Sequence, residues 1–82
     1  MVSHEREFRD YTRALASSER YVTFLNDIAD ESGVDITPKT LRSDGDIERF
    51  VSSLASRYSE KSLNNYRSVM RKYVSMVRER AL

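Results

Sequence analysis

Residues 59–82 read SEKSLNNYRSVMRKYVSMVRERAL. At about 100° per residue, Leu63, Tyr66, Met70, Tyr73, Val74 and Val77 share one face, spaced as a core-facing helix requires. Asn64, Arg67, Arg71, Ser75 and Arg78 form a second row along its edge, with Lys61, Ser68 and Lys72 further round. The spacing predicts one helix that anchors itself in a core and still offers guanidinium groups in a row to an anionic partner. No Gly, Asn or Pro follows the last apolar position, so the helix is expected to be still running at Arg78–Leu82. An unstopped helix there suggests a fragment of a longer protein, or a lead into a second domain.

Upstream, the pattern resolves into further helices. The first is expected from about His4 to Ala16, with Phe8, Tyr11 and Leu15 at helical spacing. Ser17-Ser18 interrupts it, and a serine hydroxyl can cap the next helix by accepting from an unpaired backbone N–H. That second helix, about Glu19 to Ser32, buries Tyr21, Leu25 and Ile28 with Val22, Phe24 and Ala29 alongside, and Gly33 stands where a left-handed residue would end it. Thr37-Pro38 reads as a cap followed by proline in the first turn of a short helical piece reaching Leu41. Ser43-Asp44-Gly45-Asp46, with Ser43 or Asp44 as the cap and an acid in the first turn, opens a third helix in which Ile47, Phe50, Val51, Leu54 and Tyr58 follow a clean helical period. Ser59 is the expected cap of the last, with Lys61-Ser62 as an alternative start about one turn on. No stretch alternates as a strand would. The fold class is therefore all-α, a small bundle of four to five helices.

Composition bounds the rest. Eighty-two residues hold one domain, and 39% hydrophobic with 33% charged residues describes a globular chain rather than a disordered one. The absence of cysteine removes disulfides and thiolate metal sites. No apolar run approaches the roughly 18 residues that span a bilayer, and MVSHEREF lacks the apolar core of a signal peptide. The expectation is a cytoplasmic protein with no membrane partner. The net charge of +1 conceals an asymmetry: residues 1–35 hold eight acidic groups against four basic ones, a balance of −4, and residues 57–82 hold seven basic against two acidic, a balance of +5. Segregation of this kind speaks about partners rather than fold.

An enzyme is not expected. With one histidine and two glycines, no metalloprotease motif, phosphate-cradling loop or Ser-His-Asp set can be built. His4 lies too near the start to be a constrained site. The acidic groups Asp27/Asp30/Glu31 and Asp44/Asp46/Glu48 lie near helix ends, where helix capping and solvation explain them, so no metal is expected. The tyrosines on apolar stripes are packing residues with a hydroxyl at the edge rather than nucleophiles for strand transfer, which would need several Arg and His groups converging on a phosphate. No catalytic residue, cofactor or small-molecule substrate follows from the chain. Binding does. Lys and Arg at phosphates release counterions and supply affinity without further specialisation. Asn64, Asn65, Ser62 and Ser68 can hydrogen-bond phosphates or base edges.

The same residues carry a resemblance. SEKSLNNYRSVMRKYVSMV, with Ser62, Leu63, Asn64, Tyr66, Ser68, Met70, Arg71 and Tyr73 at matching positions, resembles the last helix of the core-binding, SAM-like domain that precedes the catalytic domain of tyrosine recombinases and phage-type integrases. SERYVTFLNDI (residues 18–28) is similar to that domain's first core helix, and residues 36–58 to the segment that follows. The resemblance implies a non-catalytic domain for DNA integration or recombination that clamps duplex DNA while another domain does the chemistry. It implies DNA contacts at Asn64, Arg67, Arg71 and Lys72, and the basic row adds Lys61, Ser68 and Arg78. The chain is also similar to helical domains preceding nucleases in restriction-type proteins. That keeps a second expectation, a protein-interaction or homo-oligomerisation module whose acidic half docks on the basic half of a neighbour.

Overall fold

A computed structural model describes residues 1–15 and 18–82. Four α-helices are present among them: α1 (Glu5–Tyr11), α2 (Ser18–Ser32), α3 (Asp44–Leu54) and α4 (Glu60–Glu79). No strand is described there; one isolated parallel bridge joins Val2 to Ile36, with the Ser3 amide donating to the Ile36 carbonyl at 2.8 Å and the Ile36 amide to the Met1 carbonyl at 3.0 Å. The molecule is a small helical bundle.

Local chemistry sets the ends of most elements. Ser43 caps α3, its hydroxyl accepting from the Asp46 amide at 3.3 Å, while the Asp46 carboxylate accepts from the Arg42 amide at 2.9 Å. Ser59 caps α4 through the Ser62 amide at 3.3 Å. Thr37 Oγ1 accepts from the amides of Lys39 and Thr40 at 3.1 Å and so sets the single turn ahead of the buried Leu41. Gly33 follows α2 at φ 72°, where an added Cβ would meet nothing within 4 Å; the backbone angle alone calls for glycine.

Four expectations need correction. The first helix starts after His4, which takes φ 60° as its cap, and ends at Tyr11. Buried Thr12 turns its hydroxyl back to the Phe8 carbonyl at 2.9 Å, a local bond that competes with helix continuation. Leu15 consequently lies outside the core, 42% exposed, and Ala16 and the expected Ser17 cap lie outside the described residues. The third helix closes at Leu54, although the Tyr58 amide still reaches the Leu54 carbonyl at 3.2 Å and its ring packs against the core. The last helix does not run on through Leu82. Ala81 adopts φ 52°, the Leu82 amide donates to the Val77 carbonyl at 3.0 Å, and the Leu82 side chain folds back onto the core. This is a Schellman stop in which that apolar contact accompanies a left-handed alanine.

Helix α4 is the element around which the others assemble. It touches α1, α2 and α3, and its 20 residues span about 30 Å of a molecule whose longest extent is 32 Å. Besides the six expected core positions, Val69 and Met76 are buried, so its apolar arc is wider than the six-residue stripe. Phe8 lies 5.8 Å from Tyr73, and Tyr66 receives Phe24 and Tyr58 edge-on at 5.5 and 5.3 Å. The Tyr73 hydroxyl donates to the Ser3 carbonyl at 2.9 Å, tying the N-terminal segment across α4.

Those two tyrosines should make the fold alkali-sensitive. Burial first, with neighbouring Tyr58 adding for Tyr66 and Glu7 for Tyr73, pushes each hydroxyl from its ordinary pKa of 10.0 up to about 12. Since the folded pKa is raised, the contribution is whole below pH 10 and is lost as pH rises through about 12, because the unfolded chain releases these protons first. The thermal midpoint should fall across that window, and less steeply in Tyr73→Phe. A midpoint flat through the window in the parent protein would contradict the assignment.

Candidate nucleic-acid interface

The residues of the expected site all lie on α4, but they do not stand as one row. The buried arc of α4 is bounded on one side by α3 and on the other by α2, and each border draws in a cation. On the α3 side, Arg67 is only 21% exposed in its side chain. Its Nε and Nη2 donate to the two Glu48 carboxylate oxygens at 3.1 and 3.3 Å, Nη1 donates to Asn64 Oδ1 at 2.8 Å, and Glu60 stands 3.7 Å away. Hydrogen bonding to Glu48 raises the guanidinium pKa above its ordinary value, with the charges of Glu48 and Glu60 adding. Arg67 is thus engaged within the chain rather than projecting from it.

On the α2 side, Lys72 Nζ sits 5.0 Å from the centre of the Tyr21 ring and donates to Ser68 Oγ at 3.2 Å. Between these borders runs the outward face: Lys61, Asn64, Arg71, Ser75 and Arg78 are all exposed. Among the described residues, Lys61, Arg71 and Arg78 enter no ion pair, whereas Arg9, Arg13, Arg49, Arg57, Arg67 and Arg80 each meet a carboxylate within 4.0 Å. Arg78 lies in the last turn, where a cation complements the helix dipole. Acidic groups mark the ends of this face. Glu60 is 3.7 Å from Arg67, and Glu79 accepts from the Tyr11 hydroxyl. The seven expected residues therefore divide into an outward set (Lys61, Asn64, Arg71, Arg78), Lys72 over the Tyr21 ring with its acceptor Ser68, and an inward-held Arg67.

Two partners escape the sequence reading. Glu48 lies 19 residues before Arg67, on a helix whose own pattern speaks only of its core face. Tyr21, expected in the core, is instead half-buried beneath Lys72. A cross-helix pair of this sort has no signature in the periodicity of either helix.

Elsewhere, a cavity of about 570 Å³ between α1, the start of α2 and Arg80 is walled by internally paired charges, among them Arg9–Glu19 at 3.0 Å and Arg80–Asp10 at 3.2 Å. A smaller cleft of about 240 Å³ separates Val34 and Thr40 from Phe50 and Ser53. Among the described residues, no group of three or more His, Asp or Glu is placed to share a metal ion, and no helix is long and apolar enough to cross a membrane. No protein-family description, curated protein or solved structure matches this chain.

Proposed function

We propose that this domain binds double-stranded DNA without catalysing a reaction, as a helical module of the SAM-like, integrase core-binding type. The outward face of α4 is the contact surface. The observation that carries this reading is the exposed line Lys61–Asn64–Arg71–Arg78, which brings three cations without a carboxylate partner among the described residues onto one face of α4, whereas the other cations without such a partner (Arg6, Arg20, Lys39, Arg42 and the Tyr21-stacked Lys72) are scattered over α1, α2, the connector and the α2 border. Cations without internal partners are the ones that can exchange solvent counterions for phosphates.

The packing of α4 favours the phosphate rail over the groove floor. Reading base edges in the major groove requires a helix to project into a channel about 12 Å wide, and a helix with its side chains is itself about 10–12 Å across. With α1, α2 and α3 all packed on it, α4 offers a ridge rather than a projecting cylinder. A ridge from Lys61 to Arg78, about 25 Å long, suits contacts along one strand's backbone, which position a protein without reading sequence.

Titrating the isotopically labelled domain with a mixed-sequence duplex tests this by NMR. Amide shifts should concentrate at residues 61, 64, 68, 71, 75 and 78 and spare the exposed acidic positions Asp27 and Asp30 of α2. Shifts centred on α2, or none at low salt, would reject the reading. A stable dimer in sedimentation, with no DNA response, would favour the interaction-module alternative, in which the acidic half of one copy docks on the basic half of another.

A further inference from the structure

We infer, resting on the DNA-binding reading above, that Arg67 is a positioning residue rather than a DNA contact, and that the chain Glu48–Arg67–Asn64 turns Asn64 into an outward hydrogen-bond donor for a phosphate oxygen. The geometry runs in one direction. Glu48 grips Arg67 by two of its nitrogens, at 3.1 and 3.3 Å, and a third nitrogen donates to Asn64 Oδ1 at 2.8 Å. A guanidinium has only donors to give, so the asparagine must meet it with its oxygen. That assigns the amide orientation from chemistry: Oδ1 faces Arg67, and Nδ2 carries its two protons away from it. Among the described residues Nδ2 makes no hydrogen bond, and Asn64 is exposed.

The consequence is a change in what Asn64 can recognise. A freely rotating carboxamide can turn either its oxygen or its N–H groups outward; one whose oxygen is held by Arg67 turns its donors outward, and only the oxygen's second lone pair remains beside the guanidinium. A hydrogen bond from a cation to that oxygen also polarises the amide, strengthening its N–H groups as donors along the chain. Asn64 lies one turn beyond Lys61 and two turns before Arg71 on the same outward face, so the line becomes uniformly donating, suited to phosphate oxygens. Lysine at 67 would keep the charge but not the arrangement, because an ammonium lacks the planar fork that binds Glu48 with one edge and Asn64 with another.

The test measures binding of a mixed-sequence duplex of about two helical turns by fluorescence anisotropy, for the parent protein, Asn64→Ala, Arg67→Lys, the Asn64→Ala/Arg67→Lys double variant and Arg71→Ala. One lost charge-assisted hydrogen bond should weaken binding about three- to tenfold in Asn64→Ala, and Arg67→Lys should approach that loss although its charge is unchanged. The double variant should bind no more weakly than Asn64→Ala alone, since both changes remove the same contact. Without DNA, Arg67→Lys should move the Asn64 side-chain amide signals. Unchanged affinity in Arg67→Lys, or losses that multiply in the double variant, would overturn the inference while Arg71→Ala still weakens binding. A parent protein that does not bind, or an Arg71→Ala variant as tight as the parent, would overturn the DNA reading and this inference with it.

Discussion

Phe8→Ala should cost about 3–5 kcal/mol of folding stability, the range for removing a fully buried phenylalanine. Stabilities of about 0.05–0.15 kcal/mol per residue place a domain of 82 residues near 4–12 kcal/mol, so this single change removes a large share. The reason lies in α1. Its seven residues are too few to form a helix unaided, and Phe8 is the one residue it buries completely. The ring sits against Tyr73 at 5.8 Å, and the hydroxyl of that tyrosine holds the Ser3 carbonyl. Losing Phe8 therefore loosens the N-terminal segment, the Val2–Ile36 bridge and the cover over α4 together. Urea denaturation should show a sharply lowered midpoint, while Leu15→Ala, at a side chain 42% exposed, should stay within about 0.5 kcal/mol of the parent. A Phe8→Ala loss below about 1 kcal/mol would mean that α1 is not part of the cooperative core.

Much of this architecture is legible in the amino-acid sequence. The serines at 43 and 59 and the glycine at 33 act where a cap or a left-handed residue is needed, because these signals are local and depend on one or two neighbouring amides. The apolar periods of α2, α3 and α4 identify most of their buried faces for the same reason. Leu15 misleads because spacing alone cannot register Thr12 bonding back to the Phe8 carbonyl and ending the helix. Ala81 misleads because alanine is a strong helix former, and its left-handed turn is accompanied by a tertiary contact, Leu82 on the core. Val69 and Met76 lie outside the six-residue stripe and are buried because three helices pack on α4. At the candidate site the row of donors is visible in the chain, but the sorting of that row is not. Glu48 and Tyr21 arrive from other helices and decide that Arg67 and Lys72 turn aside while Lys61, Arg71 and Arg78 face outward.

That sorting sets the second large effect, the reversal Arg71→Glu/Arg78→Glu. Both side chains are exposed and without carboxylate partners among the described residues, so reversing them should lower the melting temperature by only a few degrees, chiefly through the anion that Arg78→Glu places in the last turn of α4. Duplex affinity should nevertheless drop by roughly tenfold or more per residue, because each change deletes a phosphate contact and adds repulsion. The same reversal at Arg57, which pairs with Glu31 at 2.7 Å, should cost stability more than affinity.

The most direct measurement of the central claim is the salt dependence of duplex binding. With about −0.9 in log K against log salt per neutralised phosphate, contacts from Lys61, Arg71 and Arg78 give an expected slope near −3. The Arg71→Glu/Arg78→Glu protein should retain a slope near −1 with much weaker binding. A parent protein that shows no binding at low salt, or a variant whose slope and affinity match the parent, would contradict the assignment of α4 as the DNA-facing helix.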